Sequence, residues 1–159
     1  VTASAAASNA NGFWVGPTAF YDMPLSPDEL ADHEFDADNF AYGVDARLRM
    51  NLLEGSLQAI YFPTYDDDIG YAIALFPSIG INANLSILNV GVRAGANFFI
   101  FDGVEEVFDF GVNIKASADV MFGNIALGVY YMAIASDFEN FDSDNLRGFT
   151  GVSLLFKPF

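Results

Sequence analysis

Between residues 40 and 51 the chain alternates without a break. Phe40, Tyr42, Val44, Ala46, Leu48 and Met50 share one parity, and Ala41, Gly43, Asp45, Arg47, Arg49 and Asn51 share the other. Side chains in a β-strand point to opposite faces in turn, so this stretch predicts a strand with one hydrocarbon face and one charged face. The same period of two recurs in eight segments, roughly 12–22, 40–51, 53–62, 70–82, 86–101, 107–118, 125–136 and 146–157. A helical period competes in none of them. All six basic residues, Arg47, Arg49, Arg93, Lys115, Arg147 and Lys157, fall in these segments on the polar parity.

The connections between the segments alternate in length. Met23–Asn39, Pro63–Ile69, Asp102–Glu106 and Asp137–Asn145 are long, whereas the links around Leu52, Ala83–Leu85 and Asp119–Asn124 are short. In an up-and-down sheet this places every long connection at one end and every short one at the other. The acids follow that division: of 21, all but Asp45, Glu54, Asp109 and Asp119 belong to the long-connection end. A water-soluble sheet would spread its charges over the strand exteriors as well.

Alternation alone does not say which face is outside, but three features do. The polar parity is dominated by small residues such as Gly43, Ser56, Ala72, Ala74, Ser78, Gly80, Gly91, Gly95 and Gly111, which suit the crowded interior of a narrow barrel. The apolar parity is large and unbroken, as in Leu88, Val90, Val92, Ala94, Ala96, Phe98 and Ile100. Aromatic residues of that parity, Tyr21, Phe40, Tyr42, Tyr61, Tyr71, Phe98, Phe108, Phe110 and Tyr131, gather at the long-connection end and predict an interfacial girdle. The segments have the length of membrane-crossing strands, and closure satisfies backbone groups that lipid cannot. The expected fold is all-β, an eight-stranded antiparallel up-and-down transmembrane β-barrel over residues 12–159, preceded by a flexible segment, 1–11. A soluble lipocalin-like barrel is the rival architecture. Pro17 and Pro77 fall inside strands and predict a bulge or an unpaired position at each.

Composition narrows the function classes. A net charge of −15 excludes nucleic acid as a partner, since phosphate binding needs clustered Lys and Arg. No cysteine is present, so disulfides, thiol nucleophiles and cysteine metal sites are excluded. No apolar run is long enough for a transmembrane helix. The first eleven residues lack an initiator Met and are rich in Ala, Ser and Asn, which reads as a mature start after removal of a targeting segment, or as the tail of one.

With eight strands, short turns opposite long loops, the strand "YGVDARLRM", and a terminal Phe159 after "GVSLLFKPF", the chain resembles the small outer-membrane β-barrel families of Gram-negative bacteria. The OmpA transmembrane domain, OmpX and OmpW are among them. Lys157 and Pro158 break the alternation just before Phe159, leaving Phe156 as the last lipid-facing aromatic. The resemblance implies an outer-membrane location with periplasmic termini and extracellular long loops. It also implies partners in outer-membrane lipid and, through the loops, other envelope proteins.

Inside such a barrel, Asp45, Arg47, Arg49, Glu54, Arg93 and Lys115 are expected to form a lumen network toward the short-turn half, with Phe20, Phe62, Phe99, Phe101, Met132, Ile134 and Phe149 toward the loops. The principal reading is a salt-bridged plug under packed aromatics, in a protein with a structural or interaction role. The alternative is a narrow channel or transporter for small ions or small apolar solutes. Among the loop acids, Asp66, Asp67, Asp68, Asp142 and Asp144 suit a divalent cation such as Ca2+, although no EF-hand spacing is present. No other cofactor is expected. No enzyme is expected either: His33 is the sole histidine, and no motif ties Ser26, Ser136 or Ser143 to it.

Overall fold

The computed structural model describes residues 10–23, 31–32, 34–64, 70–101, 108–135 and 146–158, without the side chains of 108–110. Eight strands follow in chain order: β1 (Gly12–Met23), β2 (Phe40–Met50), β3 (Leu53–Phe62), β4 (Ala72–Leu85), β5 (Leu88–Phe101), β6 (Phe108–Phe122), β7 (Ile125–Ala135) and β8 (Leu146–Phe156). A short 3-10 helix, Ala37–Asn39, leads into β2, with the Asp36 carboxylate accepting from the Asp38 N–H at its start. Each strand pairs antiparallel with its neighbours, and β8 returns to β1, so the sheet is a closed barrel.

The register fixes its shape. Stepping from Gly12 across successive ladder partners leads through Arg49, Glu54, Gly80, Arg93, Lys115, Met132 and Phe149 and re-enters β1 at Asp22, a stagger of ten residues. For eight strands about 4.8 Å apart, that stagger tilts them by roughly 40°. An eleven-residue strand then rises about 28 Å along the axis, close to the height of about 25 Å of an outer-membrane apolar band. The circuit is also chemically telling, because it sets Arg49, Glu54, Arg93 and Lys115 on one sloping row.

The two proline positions interrupt pairing without shifting register. Pro17 pairs with Val44 on β2, but on the β8 side the ladder skips from Val15↔Phe156 to Thr18↔Ser153. Pro77 pairs with Leu57 on β3, and the β5 ladder skips from Leu75↔Phe98 to Ser78↔Gly95. Each therefore marks an unpaired position rather than a bulge, as the missing N–H requires.

At the short-connection end the turns are tighter than the sequence predicts. β4 and β6 run on through Leu85 and Phe122, and the links shrink to Asn51–Leu52, Ser86–Ile87 and Gly123–Asn124. The first residue of each pair has positive φ (56°, 69° and 62°), the backbone of a two-residue hairpin whose twist matches that of the strands. This extension carries Asp119 out of the expected turn and into the barrel interior.

The outward face is apolar throughout. Across the eight strands the outward parity bears no charged residue, and Thr150 is its one non-aromatic polar residue. Val44, Leu57, Ile79, Ile114, Val129 and Val152 are all exposed on it, while every lumen-network residue named from the sequence is at most 1% exposed. An exposed apolar surface this extensive around a charged interior is the inverse of a soluble fold.

Candidate functional site

The lumen is filled in three layers. Nearest the loops, Phe20, Phe62, Phe76, Phe99, Tyr130, Met132, Ile134 and Phe149 form one buried cluster. Phe20 sits at its centre, with ring centroids 5.3 Å from Tyr130, 5.6 Å from Phe149, 6.0 Å from Phe76 and 6.4 Å from Phe62. At the short-turn end a second cluster joins Trp14, Met121, Ala126 and Leu155 to Ala10, whose carbonyl accepts from the Trp14 indole N–H at 2.8 Å. Between them lies the charge. The sequence reading anticipates the upper two layers but not the apolar floor, so the short-turn half is charged above and hydrocarbon below.

The charged layer is a chain of alternating sign, built from β2, β3, β5 and β6. Lys115 donates to Gln58 Oε1 at 2.8 Å, and Gln58 donates onward to Asp45 Oδ2 at 3.1 Å. Arg47 holds Asp45 at 2.7 Å and reaches Asp119 with its other terminal nitrogen at 2.9 Å. Arg49 also binds Asp119, at 2.5 Å, and turns its Nε to Glu54 at 2.6 Å. Glu54 then pairs with Arg93, whose Nη2 donates to Ser117 at 2.7 Å. Burying each ion costs several kcal/mol, and that cost is offset by giving Asp119 and Glu54 two guanidinium partners each and Asp45 one guanidinium together with Gln58 and Ser153.

All six lumen-network residues predicted from sequence therefore meet in one connected site, and the seventh member is Asp119. Its neighbours explain its position: Gly128, its ladder partner on β7, has no side chain, and a Cβ there would collide with the Asp119 carboxylate. Gly128→Ala is expected to displace that carboxylate and destabilise the barrel by about 1–3 kcal/mol, as read from denaturant unfolding of the reconstituted protein. Gly151 plays the same part for the Tyr130 ring. The Tyr130 hydroxyl meets Thr18 at 2.7 Å, and Ser153 lies 3.0 Å from both Thr18 and Asp45, which ties the charged layer to the aromatic one above it.

Of the other predicted residues, Tyr21, Phe40, Tyr42, Tyr61, Phe98 and Tyr131 lie on the outward face of their strands near the loop end, and Tyr71 stands just before β4, its ring 5.9 Å from Tyr61. Phe35, from the first long connection, joins this belt by packing on Tyr21 and Phe40. Phe108 and Phe110 are in β6, but their side chains lie outside the described residues. So do Asp66, Asp67, Asp68, Asp142 and Asp144, the carboxylates suited to a divalent cation, together with His33, Ser26, Ser136 and Ser143. At the loop end of the lumen Arg147 pairs with Asp22, both partly exposed.

A closed antiparallel sheet of eight strands, apolar outside and charged within, has the fold of the OmpA-like small outer-membrane barrels. Solved structures share it. Neisserial surface protein A aligns with a TM-score of 0.62 and 17% identity, covering 92% of this chain and 97% of its own. The N-terminal β-barrel domain of Pseudomonas aeruginosa OprF aligns with a TM-score of 0.61 and 12% identity, covering 90% of this chain and 96% of its own. No family model and no curated protein matches the sequence.

Proposed function

We propose that the protein is an integral outer-membrane β-barrel with a structural or interaction role, its lumen closed to solutes. The termini and the two-residue turns face the periplasm, and the long acidic connections face outward, where they meet other envelope proteins. The observation that carries this reading is the layered lumen: seven ionisable side chains, each at most 1% exposed, lie between an aromatic roof and a tryptophan floor. An ion crossing the barrel would have to part both hydrocarbon layers as well as the salt bridges, and each of those rearrangements is costly. The strands carry their chemistry into pairing rather than toward a substrate, which fits a non-catalytic protein; one of the structural neighbours is itself named a surface protein.

Purified protein in a planar lipid bilayer tests closure. The expected result is electrical silence under applied voltage. Stable unitary currents that change in Arg93→Ala would establish the narrow channel instead.

A further inference from the structure

The charge chain in the lumen nearly closes on itself. It begins at Lys115 on β6, runs through Gln58 to Asp45, then Arg47, Asp119, Arg49, Glu54 and Arg93 on β5. Arg93 and Lys115 are direct ladder partners, so the two ends of the chain are neighbours. Both ends are cations. Everywhere else around the ring a carboxylate separates one positive group from the next, and at this junction two positive groups face each other across adjacent strands, an arrangement that repels.

The two ends are also the members with the least anionic company. None of the described carboxylates forms an ion pair with Lys115, whose acceptors are the neutral Gln58 Oε1 at 2.8 Å and Ser56 Oγ at 3.4 Å. Arg93 has one carboxylate, Glu54, and its Nε is buried without a hydrogen-bond partner. Ser117, two residues along β6 from Lys115, accepts from Arg93 and keeps its own proton to donate. Among the described residues of the layer, four cations stand against three carboxylates. A net positive charge sealed in a membrane interior is expensive, and one further negative charge at this junction removes it.

We propose that the junction of Arg93, Lys115 and Ser117 is a binding site for one small monovalent anion of the halide class. The anion takes the place that a carboxylate takes elsewhere in the ring, receiving hydrogen bonds from the guanidinium, the ammonium and the hydroxyl. It is a structural ligand that closes the ring, and it deepens the closed-lumen reading on which it rests. The two separate experimentally, because bilayer currents read closure and anion occupancy reads the site.

Crystals of the intact barrel grown in sodium bromide are expected to show an anomalous peak between Arg93 and Lys115. Absence of that peak overturns the site. In solution, the unfolding constant of the reconstituted chain at fixed ionic strength is expected to fall about tenfold for each tenfold rise in chloride above its dissociation constant, with gluconate as the replacement anion. Ser117→Asp supplies the missing carboxylate from the protein, so this variant is expected to be more stable than the unaltered chain in gluconate and insensitive to chloride. Lys115→Met is expected to lose the chloride dependence as well. A chloride slope that persists in Ser117→Asp places the effect on the surface and overturns the proposal; if Lys115→Met fails to fold, Ser117→Asp and the bromide crystal decide.

Discussion

Asp119→Asn is expected to destabilise the barrel by about 3–5 kcal/mol, the range for removing one member of a buried ion cluster. Asp119 accepts from Arg47 through both oxygens at 2.9 Å and from Arg49 at 2.5 Å, so its loss leaves two buried guanidinium groups short of a partner at once. An amide of the same shape keeps the packing, removes the charge and replaces one of the two acceptor oxygens with a donor. The companion substitution Asp22→Asn removes a carboxylate from the pair with Arg147 at the loop end, where the two side chains are 28% and 42% exposed, and is expected to change stability by less than about 1 kcal/mol. Urea unfolding from lipid vesicles reads both. Equal effects from the two variants would show that the lumen charges contribute no more than a surface pair does.

Val129→Arg is expected to cost about 2–4 kcal/mol, whereas Leu52→Arg costs about 0–1 kcal/mol, because a charge facing lipid is penalised by its depth. Val129 sits midway along β7, paired with Ala118 and Val152, and is 55% exposed on the outer face. Leu52 is in the turn between β2 and β3 and is 68% exposed. By exposure alone the two positions are equivalent, and in a water-soluble barrel both substitutions would be harmless or would improve solubility. A difference between them, measured by folding into vesicles, is therefore a property of the surrounding solvent. Equal and small effects would return the protein to the soluble class.

The sequence disclosed the two faces, the eight strands and six of the seven charges of the buried middle layer because each of these is written as a period of two. What it hid is instructive. Trp14, Phe76, Tyr130 and Leu155 point inward, yet each is large and apolar, so the lumen's own hydrocarbon layers erase the polar signal that marks an interior position elsewhere. Asp119 was lost for the same reason: with Met121 inside and Val120 and Phe122 outside, the end of β6 shows no alternation and reads as a turn. The ring itself was beyond reach. Its connectivity depends on the stagger of ten residues, and that emerges only when every register around the barrel is known.

Trp14 has a use beyond packing. It is the one tryptophan in the chain, its indole N–H is held by Ala10, and Arg49 and Lys157 stand 5.5 and 6.0 Å from its ring. A single fluorophore fixed in the floor, between a guanidinium of the ring and a lysine near the end of β8, gives a signal with one address. Its emission follows the sealing of the short-turn end, separately from the zipping of the strands above it, so the order of events during folding is recorded in the unaltered protein without any label.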